Sequence, residues 1–127
     1  MKSYTNLEQS QKLAEILPIE SADGFYEAQH NHLTDKWEYI LFTDNKWASE
    51  EVVIPCWSLA TLLDYLAKKD CFPEITYTGT CYLMDVNFYD DEESKLLHPI
   101  HFIRTEGKFL VDACVEMINK LKENNLL

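Results

Sequence analysis

The sequence predicts an α+β fold: one antiparallel sheet of four or five strands with three helices packed mainly on one of its faces. Three observations lead there. Leu59, Leu62, Leu63 and Leu66 fall at i, i+3, i+4 and i+7, the spacing of one apolar helix face. Leu110, Cys114, Met117, Ile118 and Leu121 repeat at i, i+4, i+7, i+8 and i+11, with Asp112, Glu116, Asn119, Lys120 and Glu123 opposite. The remaining apolar stretches are aromatic and β-branched, which is strand composition. A chain of 127 residues, 46% of them hydrophobic, suits one globular domain over residues 1–127.

The first helix is expected over Asn6 to Leu17. Thr5-Asn6-Leu7-Glu8 has capping-box spacing, with Thr5 as the cap, and Pro18 restricts Leu17 and ends the helix. Next, Phe25 to His30 and Trp37 to Thr43 flank a polar gap, the pattern of a hairpin. Ile40 and Phe42 oppose Trp37, Tyr39 and Leu41, so the second of these strands is expected to lie inside the sheet. The second helix is expected over Ser58 to Lys69, with Ser58 as its cap and two lysines complementing its C-terminal dipole.

Ile75 to Tyr89 is too long for one ordinary strand, and Gly79 marks a bulge or turn within it. An exposed acidic connection follows, and then a strand over Pro99 to Arg104, where proline is tolerated at the first position. The third helix is expected over Lys108 to Glu123, stopped by Asn124-Asn125. Helical Leu59, Leu62, Leu63, Leu66, Leu110, Cys114, Met117, Ile118 and Leu121, with Trp37, Tyr39 and Ile40 from the sheet, make up the expected core.

Charge narrows the functional classes. The net charge is −11, spread evenly: residues 1–55 carry 4 basic and 10 acidic side chains, and residues 56–127 carry 7 and 12. With no basic stripe to displace counterions, direct nucleic-acid binding is not expected. No apolar run approaches the roughly 20 residues of a membrane helix, and no secretory signal pattern opens the chain, so a soluble cytoplasmic protein is expected.

Each chemical candidate has a plainer structural reading beside it. His30-x-His32 and His98-x-x-His101 are histidine pairs that nominally supply imidazoles for a metal. The spacing is unspecific, Pro99 argues for extended chain, and solvated histidines are favoured. Asp90, Asp91, Glu92 and Glu93 form the one dense acidic run, a candidate for cation or partner binding, but the glycine and ligand spacing of an EF-hand are missing. Cys56 precedes a helix N-terminus, where backbone dipoles can activate a thiol. Pro55-Cys56-Trp57 reads equally as a packed lead into that helix. No Gly-x-Ser-x-Gly elbow, phosphate-cradling glycine loop or His-Glu-x-x-His motif is present, and no cofactor is expected.

Leu13-Ala14-Glu15-Ile16-Leu17-Pro18, Ile54 to Leu63 and Val111 to Ile118 together resemble a family of small uncharacterised proteins of phages, prophages and mobile elements of intestinal anaerobes. That family supplies no activity to carry over. The resemblance implies a bacterial or phage cytoplasm and an accessory role. The leading expectation is a non-catalytic, host-modulating protein that binds another protein through a surface aromatic patch. An acidic inhibitor that imitates DNA comes next, and a small hydrolase using Cys56 or the histidines third.

Cys56, Cys71, Cys81 and Cys114 are spaced neither as a redox pair nor as zinc knuckles. Denatured without reductant, the protein is expected to titrate four free thiols with a thiol reagent. Stoichiometric zinc after purification, or loss of structure on chelation, would overturn that expectation.

Overall fold

A computed structural model describes residues 3–43, 53–88 and 101–127. The chain order is α1 (Leu7–Leu13), a 3-10 turn (Ile19–Ser21), β1 (Gly24–Asn31), β2 (Lys36–Phe42), β3 (Val53–Cys56), α2 (Leu59–Lys68), β4 (Glu74–Tyr77), β5 (Tyr82–Phe88), β6 (His101–Gly107) and α3 (Leu110–Glu123). The α+β class and the antiparallel pairing are as expected. The single sheet is not. Among the described residues the six strands form two three-stranded sheets, ordered β2-β1-β3 and β4-β5-β6. The chain divides correspondingly into two compact units, Ser3–Thr61 and the stretch from Leu62 to Leu127.

In the first unit β1 is the central strand. It pairs with β2 from Phe25↔Phe42 to Asn31↔Lys36, and with β3 from Gly24↔Cys56 to Glu27↔Val53. Among the described residues β2 is therefore an edge strand, which corrects its expected interior position. Its apolar residues on the second face have another origin: Phe42 stacks on Phe25 at 5.1 Å, and Ile40 is exposed. β3 escaped the sequence reading because it is four residues long and contains Pro55, which an edge strand tolerates.

α1 is capped by Asn6, not Thr5. The Asn6 Oδ1 accepts the Gln9 amide at 2.8 Å, and the Gln9 Oε1 accepts the Asn6 amide at 2.9 Å. Thr5 is buried one residue earlier, where its Oγ1 lies 2.7 Å from the Ser10 hydroxyl. α1 also stops at Leu13, four residues short of the expected end. Leu13 is fully buried, and its carbonyl takes the amides of both Ile16 and Leu17 in a tight turn before Pro18.

In the second unit the turn expected at Gly79 joins β4 to β5. Gly79 adopts a positive φ of 99°, open to glycine without strain, and the Thr78 amide donates to the Cys81 carbonyl at 2.9 Å. β5 pairs with β6 from Tyr82↔Gly107 to Phe88↔His101. α3 covers the face that carries Met84, Val86 and Thr105, and the Thr105 hydroxyl donates to the Ala113 carbonyl at 2.8 Å. Gly107 makes this fit possible: a Cβ there would lie 2.5 Å from the Ala113 nitrogen.

The helical half of the expected core is largely in place. Leu62, Leu66, Cys114, Met117, Ile118 and Leu121 are fully buried, whereas Leu59, Leu63 and Leu110 are half-buried. The sheet half is corrected outright. Trp37 is 70% exposed, Tyr39 47% and Ile40 39%, because an edge strand with α1 packed against β3 leaves them uncovered within their sheet. Trp57, expected only as a lead into α2, is instead the largest fully buried side chain among the described residues.

Leu62→Ala is expected to cost about 2–5 kcal/mol in chemical denaturation, the range for a fully buried leucine. Leu63→Ala should cost clearly less. Equal costs would contradict the burial difference between these neighbours.

Candidate protein-binding surface

Strand alternation puts Trp37, Tyr39 and Leu41 on one face of β2, opposite His30, Ala28 and Tyr26 of β1. All three β2 side chains are exposed, and Ile40 is exposed on the other face. Isolated surface apolar residues are ordinary, but three side by side on one face of a sheet edge form a patch.

The hairpin loop fixes the outer end of this patch. Asn31 Oδ1 accepts the amides of Leu33 and Thr34, at 2.9 and 3.4 Å, and Asp35 takes a left-handed φ of 54° that returns the chain to Lys36. Register then sets Trp37 directly opposite His30, with ring centroids 5.3 Å apart.

His30 and His32 lie on one side of this turn, their rings edge to face at 4.7 Å and their Nδ1 atoms 3.2 Å apart. The His30 Nε2 lies 3.0 Å from the Asp35 carboxylate. When His30 is neutral, Asp35 holds its proton on Nε2, and its Nδ1 accepts from the Nδ1–H of His32. The two partners occupy opposite nitrogens of one ring, so they do not converge on a shared cation through His30. Among the described residues no three His, Cys, Asp or Glu side chains gather as a metal site.

The other candidates are placed as follows. Cys56 ends β3 fully buried, and its thiol is pushed up to about 12, first by burial and then by the Asp23 carboxylate. That is the reverse of the activation a helix N-terminus could have given. Asp23 is engaged with the start of α2 instead: its Oδ1 accepts the Ser58 amide at 2.8 Å, and its Oδ2 accepts the Ser58 hydroxyl proton. The Ser58 Oγ in turn accepts the Thr61 amide at 3.2 Å, so Ser58 caps the helix as expected. Asp90, Asp91, Glu92, Glu93, His98 and Pro99 lie outside the described residues, and His101 is described only as the backbone partner of Phe88.

Two functional groupings were not read from sequence. Asp35 and Trp37 join His30 only through the hairpin register, which a loop closing on Asn31 and Lys36 would have revealed. The Asp85–Arg104 ion pair, at 2.6 and 3.0 Å, likewise depends on their being cross-strand partners on β5 and β6. The Arg104 guanidinium holds the Asp85 carboxyl below its usual range. Beside it a cleft of about 410 Å³ is lined by Arg104, Thr105, Glu106, Glu116 and Lys120, an open mixture of both charges with little apolar wall.

Compared with known proteins, the chain matches no family model, no curated protein and no solved structure.

The buried thiols give a signed pH dependence. Burial raises Cys56 and Cys114 to about 12 and Cys71 to about 11, from an ordinary 9.0. Above pH 9 the unfolded chain loses these protons while the folded chain keeps them, so stability is full below that point and falls as pH rises toward 12. The denaturation midpoint is expected to drop across this window, and less steeply in Cys114→Ala. A parallel drop in that variant would contradict the assignment.

Proposed function

We propose that this chain is a small, acidic, non-catalytic accessory protein that binds another protein through the aromatic face of β2. The observation that carries this reading is the exposure of Trp37, Tyr39 and Leu41 side by side on an edge strand. Tryptophan and tyrosine are enriched among the few residues that carry most of the binding energy at protein interfaces, because they bury large area with few rotamers to freeze. The resemblance to proteins of phages and mobile elements supports a host-modulating role in the cytoplasm. Among the described residues no helix is long and apolar enough to cross a membrane. The protonated, buried Cys56 thiol supports this reading over a thiol hydrolase.

The test is a pull-down from bacterial lysate with the tagged chain, identification of the bound protein, and titration of the purified pair. Trp37→Ala is expected to weaken binding by about 2 kcal/mol, roughly thirtyfold, with an unchanged melting temperature because the side chain is exposed. Moderate salt should weaken binding modestly, by screening exposed charges, without abolishing it. Collapse of binding in moderate salt and on neutralising Asp90, Asp91, Glu92 and Glu93, together with competition by duplex DNA, would favour the DNA-imitating inhibitor and reject the aromatic contact.

A further inference from the structure

The exposed side chains of β2 belong to a strand whose second edge has no partner among the described residues. Among the described residues β2 has β1 as its only sheet neighbour, and the two run in unbroken register from Phe25↔Phe42 to Asn31↔Lys36. The strand contains neither proline nor a bulge, two of the devices with which proteins blunt such edges, and its charged residues are a single lysine and a single glutamate. Among the described residues, the alternate main-chain donors and acceptors of this seven-residue strand that point away from β1 are therefore open to an extended segment that comes alongside.

The side chains specify what such a segment would carry. Its residues on the face of Trp37, Tyr39 and Leu41 meet an apolar surface. Its residues on the other face meet Glu38, set between Lys36 and the exposed Ile40, and, one strand further in, Glu27, which is opposite Ile40. Asp35, 93% exposed in its side chain, stands at the turn. Against these carboxylates the edge sets one cation, Lys36. A second copy of this chain would also offer a strand, but each copy brings a net charge of −11, and that repulsion opposes self-pairing.

We infer that β2 binds a protein partner by strand addition, taking an extended segment in which apolar residues alternate with lysine or arginine. This deepens the preceding section and rests on its reading of β2 as the contact surface. Main-chain hydrogen bonds along the edge supply affinity, the aromatic face selects the apolar residues, and Glu38 with Glu27 selects the cations.

The probe is a short, end-capped peptide alternating valine and lysine, added to the full isotope-labelled chain and followed by amide hydrogen exchange. Two control peptides are used: one of the same composition with its lysines in a block, and one N-methylated on alternate amides so that it cannot pair. The alternating peptide is expected to bind saturably and slow exchange at Trp37 to Leu41. The block peptide should bind more weakly, and the methylated one should not slow these amides. Glu38→Lys should weaken the alternating peptide about fivefold or more. Equal binding of all three peptides, slowed amides elsewhere, or no binding would overturn strand addition. So would a dimer in sedimentation whose β2 amides are already protected without peptide. If Trp37→Ala abolishes capture of the protein partner while the peptide leaves the β2 amides untouched, strand addition fails and the aromatic contact surface stands.

Discussion

Trp57 is fully buried, and every polar group it takes out of water is met by a residue distant in sequence. Its amide donates to the Thr5 Oγ1 at 3.2 Å, its carbonyl accepts the Thr5 amide at 2.9 Å, and its indole N–H donates to the Ser21 Oγ at 2.9 Å. The Ser21 hydroxyl in turn donates a hydrogen bond to the Pro18 carbonyl at 2.6 Å. A buried indole adds large apolar area, but leaving its N–H unmatched would offset much of that gain. One side chain thus ties the segment before α1, the turn after it and the start of α2 into a single arrangement. The neighbouring contacts follow the same tie. The Leu59 amide donates to the Ser3 carbonyl, Tyr4 bridges to Ser58, and the Tyr26 hydroxyl donates to the Thr5 carbonyl.

The consequence for β2 is positional. The stabilising contacts of the first unit gather at the Gly24–Cys56 end of the sheet, where α1 packs on β3 and the Cys56 thiol stays protonated. β2 runs from that end to the hairpin turn with one paired edge, so its aromatic residues are held in register by β1 without being covered by it. The second unit solves the same problem differently. Its α3 lies on one sheet face, and the absence of a Cβ at Gly107 lets the helix start come close. Its opposite face is polar at the centre, where Asp85 and Arg104 pair across β5 and β6.

Local chemistry was legible wherever the relevant partners were close in sequence. The leucine stripe of α2, the stripe of α3, the Ser58 cap, the β1–β2 hairpin and the Gly79 turn each depend on residues within a few positions of one another. Errors arose where two local readings competed. Thr5 and Asn6 both suit a cap, and Asn6 takes the role because Thr5 is drawn into the interior by Ser10 and Trp57. The candidate surface was half legible. An aromatic contact patch was expected, but Trp37, Tyr39 and Ile40 were assigned to the core, since an apolar residue on a strand reads the same whether its strand is central or at an edge.

The amino-acid sequence by itself determined the α+β class, the three α-helices of the described residues, the antiparallel hairpins, the mismatch of the cysteine spacing with metal sites and the acidic net charge, because periodicity, turn chemistry and charge act over short range. Tertiary structure alone decided that the described strands divide into two sheets, that among them β1 and not β2 is central, that Trp57 is interior and Trp37 exposed, and that the Cys56 thiol is suppressed. Each of these depends on which distant segment comes alongside. Strand order and burial are properties of that pairing, and no spacing within a single segment encodes them.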